Sequence, residues 1–225
     1  MIVQMIMTRT RRVVTVSPTD RLGDALQRLK ERRFRHLPVT ADGQSNGKLV
    51  GILSVTDIYR ALPAQVNPLA VSTEEITALP PLPAVAEVMT ASPRTVLAED
   101  SIEHAARLLT KYHIGALPVV RKDGTLFGIV SETDVLRALV SLLHIEDGAR
   151  ITIDHGEQKD LLDELRKLSW NHDVELRSFF LFPHGERIEA VIWVHGLGLN
   201  GFIDAVWKSG HRVLNVTRSR DAQHP

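Results

Sequence analysis

The sequence predicts an α/β protein built from two β-α-β-β-α repeats followed by a separate βαββαβ unit. Three observations carry this reading. A block of residues recurs at a nearly constant spacing, and each copy passes from helical to strand periodicity in the same order. Beyond residue 148 the chain starts a new alternation of strand and helix patterns.

The recurrence is dense. Thr15-Val16, Asp20, Ala25, Leu29 and Leu37-Pro38-Val39 return as Thr95-Val96, Asp100, Ala105, Leu109 and Leu117-Pro118-Val119, an offset of 80 (Thr15 to Thr95). Gly51-Ile52, Ser54, Thr56-Asp57 and Arg60-Ala61-Leu62 return as Gly128-Ile129, Ser131, Thr133-Asp134 and Arg137-Ala138-Leu139, an offset of 77 (Gly51 to Gly128). The slip falls in the polar stretch Ala41–Gly47, which reads as a hairpin loop. Met7-Thr8 and Met89-Thr90 align at the start of each copy.

Within each copy a short extended start (Val13–Val16; Thr95–Leu97) leads into an amphipathic helix. Leu22, Ala25, Leu26 and Leu29 share one helical face, as do Ile102, Ala105, Ala106 and Leu109. Strands are expected at His36–Thr40 and Leu49–Leu53, then at Ala116–Val120 and Leu126–Val130. A second helix starts near Thr56 and near Thr133. A unit of about 60 residues is small for a solitary core, so the two should pack together.

Residues 63–86 carry Pro63, Pro68, Pro80, Pro81 and Pro83, and read as an extended connector with a short helix near Ser72–Ala78. His144–Gly148 reads as a boundary. After it come a strand (Arg150–Asp154), a helix (Asp160–Trp170), a strand pair (Val174–Phe182 and Arg187–His195) around Pro183-His184-Gly185, a helix (Leu199–Ser209) and a strand (Arg212–Thr217). That order is the ferredoxin-like pattern. The expected divisions are 1–62 for the first repeat, 63–86 for the connector, 87–145 for the second repeat, 149–218 for the C-terminal unit and 219–225 for a polar tail.

Composition narrows the function classes. Hydrophobic residues make up 44 % and charged residues 24 %, ordinary for a globular protein, and 27 basic residues balance 27 acidic ones. A neutral balance supplies no general field for nucleic acid or an anionic membrane. Absence of cysteine excludes disulfides, thiolate metal sites and cysteine nucleophiles, and fits a reducing compartment. No apolar run approaches the ~20 residues of a membrane helix, so a cytoplasmic protein without membrane or nucleic-acid partners is expected.

The candidate chemistry lies in the duplicated Gly-x-x-Ser-x-x-Asp. Gly51 and Gly128 stand where a missing side chain lets a ligand approach the backbone. Ser54, Thr56, Ser131 and Thr133 precede a helix whose N-terminal N–H groups suit a phosphate. Asp57 and Asp134 can accept both hydroxyls of a ribose. The same residue types are also ordinary helix caps, which need no ligand. The copies differ before the first paired strand: Arg32-Arg33-Phe34-Arg35-His36 stands against Tyr112-His113-Ile114-Gly115-Ala116. Arg35 and His36 either add phosphate contacts or form a solvated helix end.

These residues resemble tandem CBS domains of the Bateman-module type: Met7-Thr8, Thr15-Val16, Leu37-Pro38-Val39, Gly51–Asp57 and their partners in the second copy. The resemblance implies a cleft between the repeats that takes an adenosyl effector: AMP, ATP, NADH or S-adenosylmethionine. It implies further that Thr15 and Thr95 face the ribose-phosphate, and that the strands at Leu37-Pro38 and Ala116-Leu117-Pro118 flank the adenine. The C-terminal unit is similar to an ACT domain through Ile151–Gly156, the Leu-rich helix and Val174-Glu175-Leu176. ACT-like domains commonly bind an amino acid at the loop matching Asp154-His155-Gly156. Here Glu157-Gln158-Lys159 lengthen that loop, which favours dimerisation over effector binding. Phe179, Phe180, Phe182 and Trp193 belong either to a subunit contact or to the core. The whole arrangement resembles the AcuB-type (acetoin utilisation) proteins, which implies a regulatory role and a homodimer.

No catalytic set stands out. The 10 histidines are scattered without metal-ligand spacing, and no nucleophile elbow, Walker loop or dinucleotide fingerprint occurs. His195-Gly196-Leu197-Gly198 is expected to open the last helix. The expectation is therefore a non-enzymatic ligand sensor that signals to a protein partner. The alternatives are a structural adaptor that dimerises without a ligand, and an enzyme whose site lies between the repeats and the C-terminal unit.

Overall fold

The computed structural model describes residues 1–62, 82–143, 148–156 and 160–218. The helix expected at Ser72–Ala78, most of the connector, the boundary at His144–Asp147, the insertion Glu157–Lys159 and the tail lie outside the described residues. The chain divides into two units, Met1–Leu136 and Arg137–Pro225.

In the first unit a 3-10 turn (Val3–Met5), strand β1 (Thr8–Arg9) and a second turn (Thr10–Arg12) lead into α1 (Leu22–Arg32), β2 (His36–Thr40), β3 (Leu49–Ser54) and α2 (Val55–Ala61). The second copy runs α3 (Val85–Val88), β4 (Thr90–Ala91), β5 (Val96–Leu97), α4 (Ile102–Tyr112), β6 (Ala116–Val120), β7 (Leu126–Ser131) and α5 (Glu132–Leu143). Helix α1 buries Leu22, Ala25, Leu26 and Leu29, and places Lys30 and Arg32 in its last turn, where they complement the carbonyl end of the dipole. Helices α1 and α4 stop in the same way. Arg33 (φ 54°) and His113 (φ 52°) adopt the left-handed conformation and return their N–H groups to the last-turn carbonyls.

Pairing of the lead strands departs from chain order. Strand β1 precedes the first repeat but pairs with β7 of the second, Thr8 opposite Ile129 and Arg9 opposite Gly128. Strand β4 precedes the second repeat but pairs with β3 of the first, Gly51 opposite Ala91 and Ile52 opposite Thr90. The cores follow the exchange: Val3 and Met7 pack with Leu109, Leu117 and Val130, whereas Val85 packs with Leu26, Leu37 and Leu53. Neither repeat completes its sheet or its core from its own sequence. The β2–β3 and β6–β7 hairpins also join through their loops, Leu49 N donating to the Gly124 carbonyl (3.1 Å) and Leu126 N to the Gly47 carbonyl (2.9 Å).

The second unit contains β8 (Ala149–Asp154), α6 (Leu161–Asn171), β9 (Val174–His184), β10 (Arg187–Gly196), α7 (Leu199–Lys208) and β11 (Val213–Arg218). Its antiparallel sheet has the order β11-β8-β10-β9. Ile151, Ile153, Ile192 and Val194 from the sheet meet Leu165, Phe202 and Val206 from the helices in one core. Phe179 packs against that core, Trp193 is buried, and Phe182 is exposed beside Phe180. Gly198 caps α7, and Gly196 and Gly198 lie so close to the backbone of His172–Val174 that a side chain would collide with it. The glycines at 196 and 198 thus serve the start of α7 and its backbone packing.

Candidate functional site

Strand β3 ends at Ser54 and turns directly into α2. The Ser54 hydroxyl donates to Asp57 Oδ2 (2.6 Å) and accepts from the Asp57 N–H (3.1 Å), while the Ser54 N–H donates to the same carboxylate oxygen (2.9 Å). This is a reciprocal capping box. Ser131 and Asp134 repeat it, with distances of 2.6, 3.3 and 2.9 Å. Capping thus consumes both serine hydroxyls and one oxygen of each aspartate. Among the described residues, Asp57 Oδ1 makes no protein hydrogen bond.

A cavity of about 1220 Å³ opens at the first corner, between the two repeats. Arg35, His36, Ser54, Thr56, Asp57 and Arg60 line it from the first copy. Thr90, Ser92, Arg94, Thr95, Tyr112 and Ala116 line it from the second. The exchange of lead strands makes this possible, because β4 carries Thr90 to the side of β3 and delivers Ser92–Thr95 beside Asp57. Ser92 holds the turn after β4 with φ at 48°, a conformation uncommon outside glycine. The cavity therefore joins hydroxyls, a carboxylate and guanidinium groups, the groups that ribose hydroxyls and phosphate oxygens require.

Of the residues expected at a ligand site, Arg35, His36, Ser54, Thr56, Asp57, Thr95 and Ala116 come together here. The others have different placements. Thr15 is buried, its hydroxyl donating to the Gly43 carbonyl (2.6 Å) and its carbonyl accepting from Arg28 (2.8 Å). Gly51 and Gly128 face the exchanged lead strands instead of a ligand. A Cβ on Gly51 would stand 2.5 Å from Met89 Sδ, and one on Gly128 would stand 2.6 Å from the Thr8 carbonyl oxygen. Pro118 is buried in the β6–β7 pair opposite Ile129. Ser131, Thr133 and Asp134 form the second corner, away from the lining of this cavity. Asp154, His155 and Gly156 lie in the second unit, where the Asp154 carboxylate stands 3.5 Å from Arg212 and 3.9 Å from Arg187, and His155 N donates to the Ile188 carbonyl. Helix α2 has only seven residues, and Ser54 and Asp57 close its cap.

Sequence reasoning gave no role to Arg94 or Tyr112. The Arg94 guanidinium carbon lies 3.5 Å from the Tyr112 ring centroid, a cation–π stack on the cavity wall. His36 fits the space left by Gly115, where a Cβ would stand 2.9 Å from its Cε1. Burial, together with the charge of Arg35, holds the His36 pKa below its ordinary value, against the opposing pull of Asp57. Among the described residues no group of three or more His, Asp or Glu side chains is placed to hold a metal ion.

The family model described as CBS domain matches residues 3–64 and 85–141, more than half of the chain. The chain belongs to the CBS-domain family. This CBS pair is 33 % identical over 131 residues to an uncharacterised protein, MJ1225, of Methanocaldococcus jannaschii, covering 57 % of this chain and 44 % of that one. Among solved structures it is similar to CBSX2 in complex with AMP (TM-score 0.51, 33 % identity, 63 % of this chain and 97 % of that one). It is also similar to the CBS pair of MJ0100 in complex with 5-methylthioadenosine and S-adenosyl-L-methionine (TM-score 0.50, 26 % identity, 63 % and 97 % covered). The chain spans 44 %, 22 % and 21 % of the first curated relatives it matches, the latter two being inosine-5'-monophosphate dehydrogenases of Korarchaeum cryptofilum and Schizosaccharomyces pombe.

Proposed function

We propose that this chain is a regulatory sensor that binds an adenine nucleotide or a related adenosyl ligand in the cleft at Asp57. The observation that carries the reading is that one cavity gathers Thr56 and Asp57 from the first repeat with Thr95 and Arg94 from the second. Ligands of this class occupy the CBS pairs of CBSX2 and MJ0100, which supports the assignment. In this reading the free oxygen of Asp57 accepts ribose hydroxyls, Thr56 and Thr95 hold the ribose-phosphate, and the arginines neutralise phosphate charge. Ile52, Ile114 and Ala116 offer apolar surface to the base.

A ligand touching both repeats fixes their mutual arrangement, and a partner that senses this arrangement is switched. Such couplings are typically about 1–3 kcal/mol. The protein acts in this reading without catalysis, as a cytoplasmic homodimer. Among the described residues no helix is long and apolar enough to cross a membrane. The second unit, with its βαββαβ order and β11-β8-β10-β9 sheet, is read as an ACT-like domain of ferredoxin-like fold that serves dimerisation. Engagement of Asp154 by two arginines favours that role over capture of an amino acid. The combination supports an AcuB-type regulator.

Isothermal titration with AMP, ATP, NADH and S-adenosylmethionine tests the proposal. Saturable binding of at least one, weakened at least tenfold by Asp57→Asn, is expected. Absence of heat with all four at high protein concentration would sink the idea.

A further inference from the structure

We infer that the cleft selects its ligand by its phosphate chain, and takes a nucleoside triphosphate in preference to the monophosphate. The inference rests on the adenosyl reading above and specifies which member of that class the site prefers.

Three guanidinium groups reach the cavity from three separate elements: Arg35 from the turn before β2, Arg60 from α2 and Arg94 from the loop between β4 and β5. Among the described residues none of the three forms an ion pair, and Asp57 is the one acidic side chain in the cavity lining. Arg94 is held in place by its stack on Tyr112 at 3.5 Å, which occupies a face of the guanidinium and leaves its N–H edge for an anion. A single phosphate fits the fork of one arginine, or bridges two. Three phosphoryl groups in a row match three guanidinium groups, and a cavity of about 1220 Å³ has room for a nucleoside triphosphate. At the positions of Arg35 and His36 the second copy has Gly115 and Ala116, which line this same cavity and leave room beside the two basic side chains.

The test is titration calorimetry of the full chain with adenosine, AMP, ADP, ATP and inorganic tripolyphosphate in magnesium-free buffer at two salt concentrations. Affinity is expected to rise from adenosine to AMP to ATP, with ATP at least about tenfold tighter than AMP, and with the advantage shrinking at high salt. Arg94→Ala and Arg35→Ala are expected to bring ATP affinity close to that of AMP, removing most of the tenfold advantage. AMP binding as tightly as ATP, or an ATP advantage that survives both substitutions together, overturns the inference and leaves the adenosyl reading intact. Tripolyphosphate binding without adenosine or AMP binding supports the arginine cradle and overturns the adenosyl reading. If nothing binds, the inference falls, and the adenosyl reading is decided by the NADH and S-adenosylmethionine titrations.

Discussion

Gly128 lies directly beneath the Thr8 carbonyl, so close that a Cβ would stand 2.6 Å from its oxygen, although the two residues belong to different repeats. The matching glycine, Gly51, meets the flexible thioether of Met89 at 2.5 Å, with the Thr90 carbonyl at 3.2 Å. A backbone carbonyl in a paired strand cannot retreat as a methionine side chain can. Gly128→Ala should therefore destabilise the protein by about 1–3 kcal/mol, and Gly51→Ala by less. Chemical denaturation of both variants checks this ordering; equal or reversed costs would contradict the exchanged packing.

The capping boxes separate stability from binding. Ser54→Ala and Ser131→Ala each remove a hydroxyl that caps a helix, and each should cost about 1 kcal/mol of stability. Asp57→Asn should lose ligand affinity beyond its effect on stability, because Asp57 also lines the cavity. Denaturation midpoints and titrations on the same three proteins distinguish the roles.

His36 should make stability depend on pH. Its folded pKa lies below the ordinary value of 6.5, so as pH falls past that value the unfolded chain takes up a proton that the folded protein refuses. Its contribution is fully present above that value and is lost progressively toward the lower folded pKa. His36→Gln should flatten this part of the profile between pH 7.5 and 5.5, measured by denaturant unfolding. An unchanged slope would show that other groups set it.

His36 and Gly115 should also be energetically coupled. Gly115→Ala alone places a methyl 2.9 Å from the imidazole, and His36→Ala removes the clash. A double-mutant cycle is expected to give a coupling of about 0.5–3 kcal/mol. Strict additivity would mean that the ring and Gly115 do not touch.

Much of the fold was readable in the sequence because long helices and strands leave periodic marks. The faces of α1 and α4 were evident from Leu22, Ala25, Leu26 and Leu29 and from their counterparts. Exchange of β1 and β4 was not. Two-residue strands carry no periodicity, and pairing between distant segments leaves no local trace. Gly51 and Gly128 did signal a close approach, but a glycine does not say what approaches. Thr15 and Thr95 are the same residue at matching positions with different fates. The longer loop of the first copy brings the Gly43 carbonyl onto the Thr15 hydroxyl, whereas Thr95 lines the cavity. Arg94 and Tyr112 meet only in three dimensions. The one hint was the asymmetry between copies, which drew attention to Arg35 and His36 first.

The most direct measurement of the central claim is a crystal structure of the full chain grown with ATP. The account predicts density in the first cleft, with the ribose against Asp57 and Thr95 and the phosphate chain running toward Arg94 and Arg35. A nucleotide bound elsewhere, or an empty cleft at saturating concentration, would contradict it.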